Sequence, residues 1–108
     1  MISRRLRVPT GEFHKQKRLL STPEMAIKYG PNTVSHNRFA VIVSAKVDKR
    51  SSQRNNLRRT IYEGVIEWPN RKADFVIIVL PGIKKRTEKN WLKNNIEQTG
   101  ALLKSKSI

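Results

Sequence analysis

The feature that most constrains this chain is the uninterrupted apolar run Phe75–Leu80, bounded by Asp74 on one side and by Pro81 and Gly82 on the other. Every side chain in it is Phe, Val, Ile or Leu, so a strand built here is apolar on both faces. Such a strand belongs at the centre of a sheet, with a layer of helices against it. The run is far too short to cross a bilayer. A second strand is predicted over Arg38–Val47, with Phe39, Val41 and Val43 on one face and Ala40, Ile42 and Ser44 on the other. Its centre is apolar on both sides, which predicts an inner strand. Met25, Ile27 and Tyr29 alternate with Ala26 and Lys28 and predict a third, closed by the turn signal Gly30-Pro31-Asn32. A short further strand is expected at Thr33–His36.

Helical periodicity occupies the remaining stretches. Ser51 or Ser52 is placed to cap a helix running to about Trp68, in which Leu57, Ile61 and Val65 form an apolar stripe before Pro69 and Asn70 stop it. Thr10, with Glu12 in the first turn, predicts a short helix through Phe13 to about Leu20, ended by Pro23. Thr87 is placed to cap a last helix whose Trp91, Leu92, Ile96 and Leu103 face inward and which Gly100 weakens. Met1–Pro9 reads as a flexible, extended basic arm. The order is helix, two or three strands, helix, strand, helix. This is an α+β chain folded as a two-layer α/β sandwich, one domain over residues 1–108.

Charge narrows the function. The chain carries 23 Lys and Arg against 8 Asp and Glu, a formal net charge of +15. That much self-repulsion is costly unless a polyanion relieves it, so stability is expected to rise when the partner binds. RNA, DNA and an anionic membrane surface are the candidates. A membrane-surface role requires a long amphipathic helix with bulky apolar residues opposite the charges, and the basic segments do not supply one. The N-terminal residues lack the apolar stretch of a secretory signal. The absence of cysteine excludes a disulfide framework and a thiol nucleophile, and it fits a reducing cytoplasm.

The informative segment is Gln53–Gly64, QRNNLRRTIYEG. At helical spacing Arg54 and Arg58 share one line and Asn55 and Arg59 the next, beside the Leu57–Ile61 stripe. Arginine forks match phosphate oxygens, and asparagine both donates and accepts at a base edge or ribose. Lys46, Lys49 and Arg50 precede the helix start, where backbone N–H groups and the positive dipole end favour anions. A merely solvated basic face is the alternative, but acidic i,i+4 partners are nearly absent. No independent catalytic set is evident. Of the acids, only Glu63 and Glu67 have helical spacing, and such a pair reads as a solvated helix edge or a partner for Arg59. Asp48 reads as a turn residue, with a metal contact at an RNA boundary the alternative. His14 and His36 lie far apart, and no Gly-rich phosphate loop occurs. Trp68 and Trp91 read as core or helix-end packing.

From Arg38 to Glu63 the chain reads RFAVIVSAKVDKRSSQRNNLRRTIYE, and in this stretch it resembles the protein subunit of bacterial ribonuclease P. The resemblance rests on Arg38-Phe39, Ser44-Ala45-Lys46-Val47, Arg54-Asn55, Leu57-Arg58-Arg59 and Glu63. A second match runs from Asp74 through Ile78 to Pro81-Gly82-Ile83. The resemblance implies a fold similar to one domain of a small-subunit ribosomal protein, with a left-handed crossover around the Arg-Asn helix. It implies that an RNA subunit, using magnesium, removes the 5′ leader of precursor tRNA. The protein then supplies no catalytic residue and no metal ligand, and needs no further protein partner. By position, Lys46, Lys49, Arg50, Arg54, Asn55, Arg58 and Arg59 would contact the catalytic RNA. Phe13, Tyr29 and Arg38 are the implied leader-binding candidates, held in a cleft between the sheet and the first helix. An aromatic ring there would stack on bases of any sequence; Phe13 and Tyr29 read equally well as core aromatics. The chain departs from the family at Asn56, where a basic residue is usual, at Asp48, where a small one is, and at Gln53. It offers the single aromatic Phe13 where two are common. The alternatives are a ribosome-associated or general structured-RNA-binding domain of the same fold and, third, an independent nuclease.

Overall fold

The architecture comes from a computed structural model that describes residues 6–8, 17–85 and 91–105. In chain order the elements are β1 (Lys17–Ser21), β2 (Met25–Pro31), β3 (Arg38–Val43), α1 (Ser51–Val65), β4 (Ala73–Val79), a 3-10 turn at Pro81–Lys85, and α2 (Trp91–Ser105). The sheet order is β1-β2-β4-β3. β2 is antiparallel to both β1 and β4, and β3 is parallel to β4. Parallel neighbours cannot be joined by a tight turn. The link from β3 to β4 is therefore long, and α1 fills it.

The apolar run is central for a physical reason. On one face of the sheet, Met25, Ile27, Phe39, Val41, Val43, Phe75, Ile77 and Val79 join Ile61 and Val65 of α1 and Ile96 and Leu103 of α2 in the main core. On the other, Ala40 and Val76 are buried with Val8, flanked by Ile42 and Ile78. Strand register keeps these sets in phase: Phe39 pairs with Phe75 and Ala40 with Val76. Phe75 lies under the rings of Tyr29 and Phe39, and the Trp68 indole meets it edge-on at 5.3 Å between centroids. Burying an aromatic of this size contributes about 2–3 kcal/mol.

Several local expectations are corrected. The helix predicted over Thr10–Leu20 is contradicted at its C-terminal end, where Lys17–Leu20 are strand, antiparallel to β2 with a register shift between Arg18 and Leu20. Its first part, Phe13 included, lies outside the described residues, as does Thr87. Thr33–His36 is a bend and not a strand. Asn32 holds it there, its Oδ1 accepting from the N–H of Val34 at 3.1 Å. β3 stops at Val43, because the Ser44 carbonyl turns back to accept the N–H of Val47 at 3.0 Å. β3 is also an outer strand of the four-stranded sheet. Its second face is apolar because Leu6–Val8 runs beside it: Arg7 bridges Phe39, and the N–H of Val8 donates to the Phe39 carbonyl at 3.0 Å. Finally, α1 ends at Val65, and its N-cap is Arg50 with no side-chain cap, so neither Ser51 nor Ser52 caps it.

Where α1 and α2 cross, small residues let them touch. A Cβ on Gly64 would stand 2.6 Å from Cγ2 of Ile96, and one on Gly100 2.7 Å from Cδ1 of Trp68. Trp68 is pinned there, its indole N–H donating to the Ile96 carbonyl at 3.0 Å. Among the described residues, no helix is long and apolar enough to cross a membrane.

Candidate nucleic-acid interface

The apolar stripe decides which way α1 presents its charges. Ile61 and Val65 are fully buried and Leu57 packs partly against the core. The stripe fixes the rotation of the helix, and Asn55 and Arg59 then emerge exposed, with Arg54 and Arg58 half-buried at the stripe's margin. Lys46, Lys49 and Arg50 are exposed in the loop that enters the helix. The seven residues singled out from the sequence thus lie together around the first three turns of α1 and the loop before it.

Contacts within this group are specific. Arg54 folds back, its Nη1 donating to the carbonyls of Asp48 at 2.9 Å and Lys49 at 3.0 Å. It braces the loop from the helix side. Arg58 donates through Nη2 to Oδ1 of Asn55, which leaves the Asn55 amide group directed by an arginine. Arg50 is engaged by Asp48: Nε donates to Oδ1 at 3.1 Å and Nη2 to Oδ2 at 3.0 Å, while the Arg50 backbone N–H also donates to Oδ1 at 2.9 Å. Those hydrogen bonds from Arg50, with its charge and that of Lys84, hold the Asp48 carboxyl at about 2, and the carboxylate raises Arg50 in turn. Lys46, Lys49, Arg58 and Arg59 form no ion pair with any described acid.

Asp48 apart, the charged side chains at this end of α1 are all positive. The helix carries no acid in its first turn and no base in its last. Its positive dipole end therefore coincides with the cations, an arrangement that disfavours the isolated helix and favours a bound anion. The acids lie at the other end, where Glu63, Glu67 and Glu97 line a groove between α1 and α2 together with Lys93 and Lys104. Among the described residues, no group of three or more His, Asp or Glu converges in a way that could hold a metal ion.

The other candidates sit elsewhere. Tyr29 is half-buried on the helix-facing side of the sheet, its ring 6.4 Å from that of Phe75. Arg38 is 14% exposed and forks onto Asp74, Nε to Oδ1 at 2.8 Å and Nη2 to Oδ2 at 2.7 Å. Both lie at the end of the sheet where β3 begins, roughly 16 Å along the strand from the loop that enters α1.

Sequence reasoning missed two features. Lys84, on the 3-10 turn, adds its charge to the loop around Asp48, and only the fold brings it there. At the opposite end Asn32 and Arg38 converge on Asp74, and Asn37 ties down the loop before β4. Asn32 donates to Asp74 at 2.9 Å, and Asn37 bonds the Pro69 carbonyl at 2.9 Å and the Arg71 N–H at 2.9 Å. Their partners are distant in sequence, and the only local signal was the run of Asn near turns.

Known proteins share this fold. A family model described as Ribonuclease P matches residues 11–104. The ribonuclease P protein component of Histophilus somni strain 2336 is 37% identical over 87 residues, covering 75% of this chain and 73% of the relative. That of Synechococcus elongatus is 29% identical over 92 residues, covering 79% and 75%. Among solved structures, the RNase P protein from Thermotoga maritima superposes with a TM-score of 0.72 at 20% identity, covering 94% of this chain and 98% of that one. The Staphylococcus aureus RNase P protein gives 0.70 at 17% identity, with 93% of each chain covered. At these identities the structural matches establish the fold.

Proposed function

The chain belongs to the ribonuclease P protein family, and from that membership we propose that it binds the catalytic RNA of ribonuclease P through the first turns of α1 and so assists removal of the 5′ leader from precursor tRNA. The observation that carries the reading is the cluster at the α1 start. Lys46, Lys49, Arg58 and Arg59 stand unpaired by described acids at an N-terminus with no side-chain cap. Arginines offer two parallel N–H groups to a phosphate, and uncapped backbone N–H groups donate to its remaining oxygens. Asn55, oriented by Arg58, adds a group able to read a ribose or base edge.

The chemistry belongs to the RNA. Ribonuclease P cleavage draws on magnesium, and the described residues supply no set of carboxylates or histidines fit to hold one. No step is therefore assigned to a metal on this chain. Its contribution is to lower the repulsion between two RNAs and to add contacts to the leader. On the second face of the sheet Ala40 and Val76 are buried with Val8, so only the partly exposed margin at Ile42 and Ile78 is open to leader bases. Arg38, clamped by Asp74, serves that reading as a brace for the strand ends, and Tyr29 as a core aromatic.

The test is cleavage of precursor tRNA at low magnesium by the cognate RNA alone, the protein alone, and both. Cleavage only in the mixture, or far faster there, is expected. Cleavage by the protein alone would move the chemistry to its own carboxylates and refute the reading.

A further inference from the structure

We propose that Asp48 is a resident anion that occupies the phosphate-binding fork of Arg50, and so sets how tightly the α1 surface holds RNA and how steeply that grip depends on salt. The inference rests on the RNA-partner reading above.

The geometry is that of a phosphate mimic. Two oxygens of one carboxylate meet two parallel N–H groups of Arg50, at 3.1 and 3.0 Å. A phosphodiester presents the same pair of oxygens to the same fork. The Arg50 side chain is 70% exposed and that of Asp48 24%, so the pair stands at the surface where RNA would arrive. Asp48 is the one acid among the described residues of the loop and first two turns of α1, amid Lys46, Lys49, Arg50, Arg54, Arg58, Arg59 and Lys84. Its carboxyl is held at about 2, so it stays charged under any condition in which RNA binds.

The carboxylate is fixed in place independently of the Arg50 side chain. The Arg50 backbone N–H holds Oδ1 at 2.9 Å, and Arg54 holds the Asp48 carbonyl at 2.9 Å. Were the Arg50 guanidinium to turn to a phosphate, Asp48 would remain behind as a negative charge beside the RNA, so the exchange gains little. Exposed ion pairs are weak in water, so the carboxylate does not block binding. It subtracts one phosphate contact from the array and weakens association with any polyanion that cannot displace it.

The experiment is a double-mutant cycle on the full chain with the cognate catalytic RNA, reading dissociation constants over a salt series. Asp48→Asn keeps an oxygen for the Arg50 backbone N–H, and so the turn. Freeing one phosphate contact predicts roughly fivefold tighter binding near physiological salt and a salt slope steeper by about one unit. Arg50→Ala is expected to change affinity less than about twofold in the wild type and to weaken it roughly fivefold in the Asp48→Asn background. If Asp48→Asn leaves affinity and slope unchanged, or Arg50→Ala costs the same in both backgrounds, Asp48 is a turn residue and the inference fails. A wild-type chain that does not bind the catalytic RNA would instead overturn the RNA-partner reading, and this inference with it.

Discussion

Replacing Gly100 by alanine pits helix propensity against packing, and the structure says which wins. In the interior of α2 alanine is favoured over glycine by about 1 kcal/mol. The new methyl, however, would lie 2.7 Å from Cδ1 and 3.0 Å from Nε1 of Trp68. Trp68 cannot swing aside at little cost: it is 6% exposed, and its indole N–H is bonded to the Ile96 carbonyl at 3.0 Å. Its ring also meets Phe75 and Phe39 edge-on, at 5.3 and 6.2 Å. If the ring holds and the helices part, overpacking costs about 1–3 kcal/mol. If it turns, a buried hydrogen bond is broken at about 1–3 kcal/mol and aromatic contacts at about 0.5–1.5 more. At mid-range the two routes cost about 2 and about 3 kcal/mol, so after the propensity gain of about 1 kcal/mol the net destabilisation is about 1–2 kcal/mol. At about 4–8 °C per kcal/mol for a domain of this size, Tm should fall by at least about 4 °C. Thermal melts and urea unfolding of wild type and Gly100→Ala, followed by circular dichroism, measure this. In a Trp68→Phe background the smaller ring should let the alanine recover part of its loss. A Tm equal to or above wild type in the single variant would refute the packing argument and leave Gly100 as a mere weak point in α2.

Four further outcomes follow from the same contacts. Arg58→Ala combined with Arg59→Ala should weaken binding of the catalytic RNA and lower the slope of log affinity against log salt by about two units; an unchanged slope would remove both from the interface. Asp74→Ala should cost about 3–5 kcal/mol in urea unfolding, because it strips the carboxylate from the largely buried Arg38 guanidinium and a partner from Asn32; a loss under about 1 kcal/mol would show that water replaces the carboxylate. Arg50 pulls the Asp48 carboxyl from 3.8 to about 2, so the folded chain takes up this proton at lower pH than the unfolded one. The stabilisation is complete above about pH 4 and lost as pH falls through 2, so Asp48→Asn should flatten the acid limb of the stability curve there; an identical limb would contradict the pairing. RNA binding should slow amide exchange in the first turn of α1 more than in α2, and uniform slowing would place the contact elsewhere.

The elements legible in the sequence were those whose burial imposes a period. β2, β3, β4, α1 and the inward face of α2 each show it, because one or both of their faces meet a core of Phe75, Phe39, Ile61 and Ile96. β1 shows none. Its side chains at Lys17 and Arg18 are exposed, so its conformation comes from hydrogen bonding to β2, a tertiary fact that leaves no local pattern. The sequence cues at Thr10 and Glu12 therefore predicted a helix that ran on into Lys17–Leu20, which are strand. The basic array was legible because α1 has a fixed period and the stripe sets its phase. The Asp48–Arg50 pairing was not, since its form depends on the turn at Ser44–Val47 and on the brace from Arg54. Nor was the Asn32–Asp74–Arg38 lattice, whose members meet only once β2, β3 and β4 are aligned.

The charge pattern of α1 makes sense only if stability is not its purpose. A helix built for its own sake places acids at its N-terminus and bases at its C-terminus, each worth about 0.3–1 kcal/mol when exposed. This one reverses the order: cations at Arg50, Arg54, Arg58 and Arg59, carboxylates at Glu63 and Glu67, no acid in the first turn and no side-chain cap. The penalty is tolerable because Ile61 and Val65, fully buried against the sheet, anchor the helix through its other face. The parallel pairing of β3 with β4 then decides where the penalty falls. It requires a long crossover, and the crossover brings the uncapped, cation-rich end of α1 out beyond Val43 beside the loop that holds Lys46 and Lys49. Backbone N–H groups, dipole and arginine forks converge there on a site that only an anion with many oxygens can satisfy at once, and a structured RNA is such an anion.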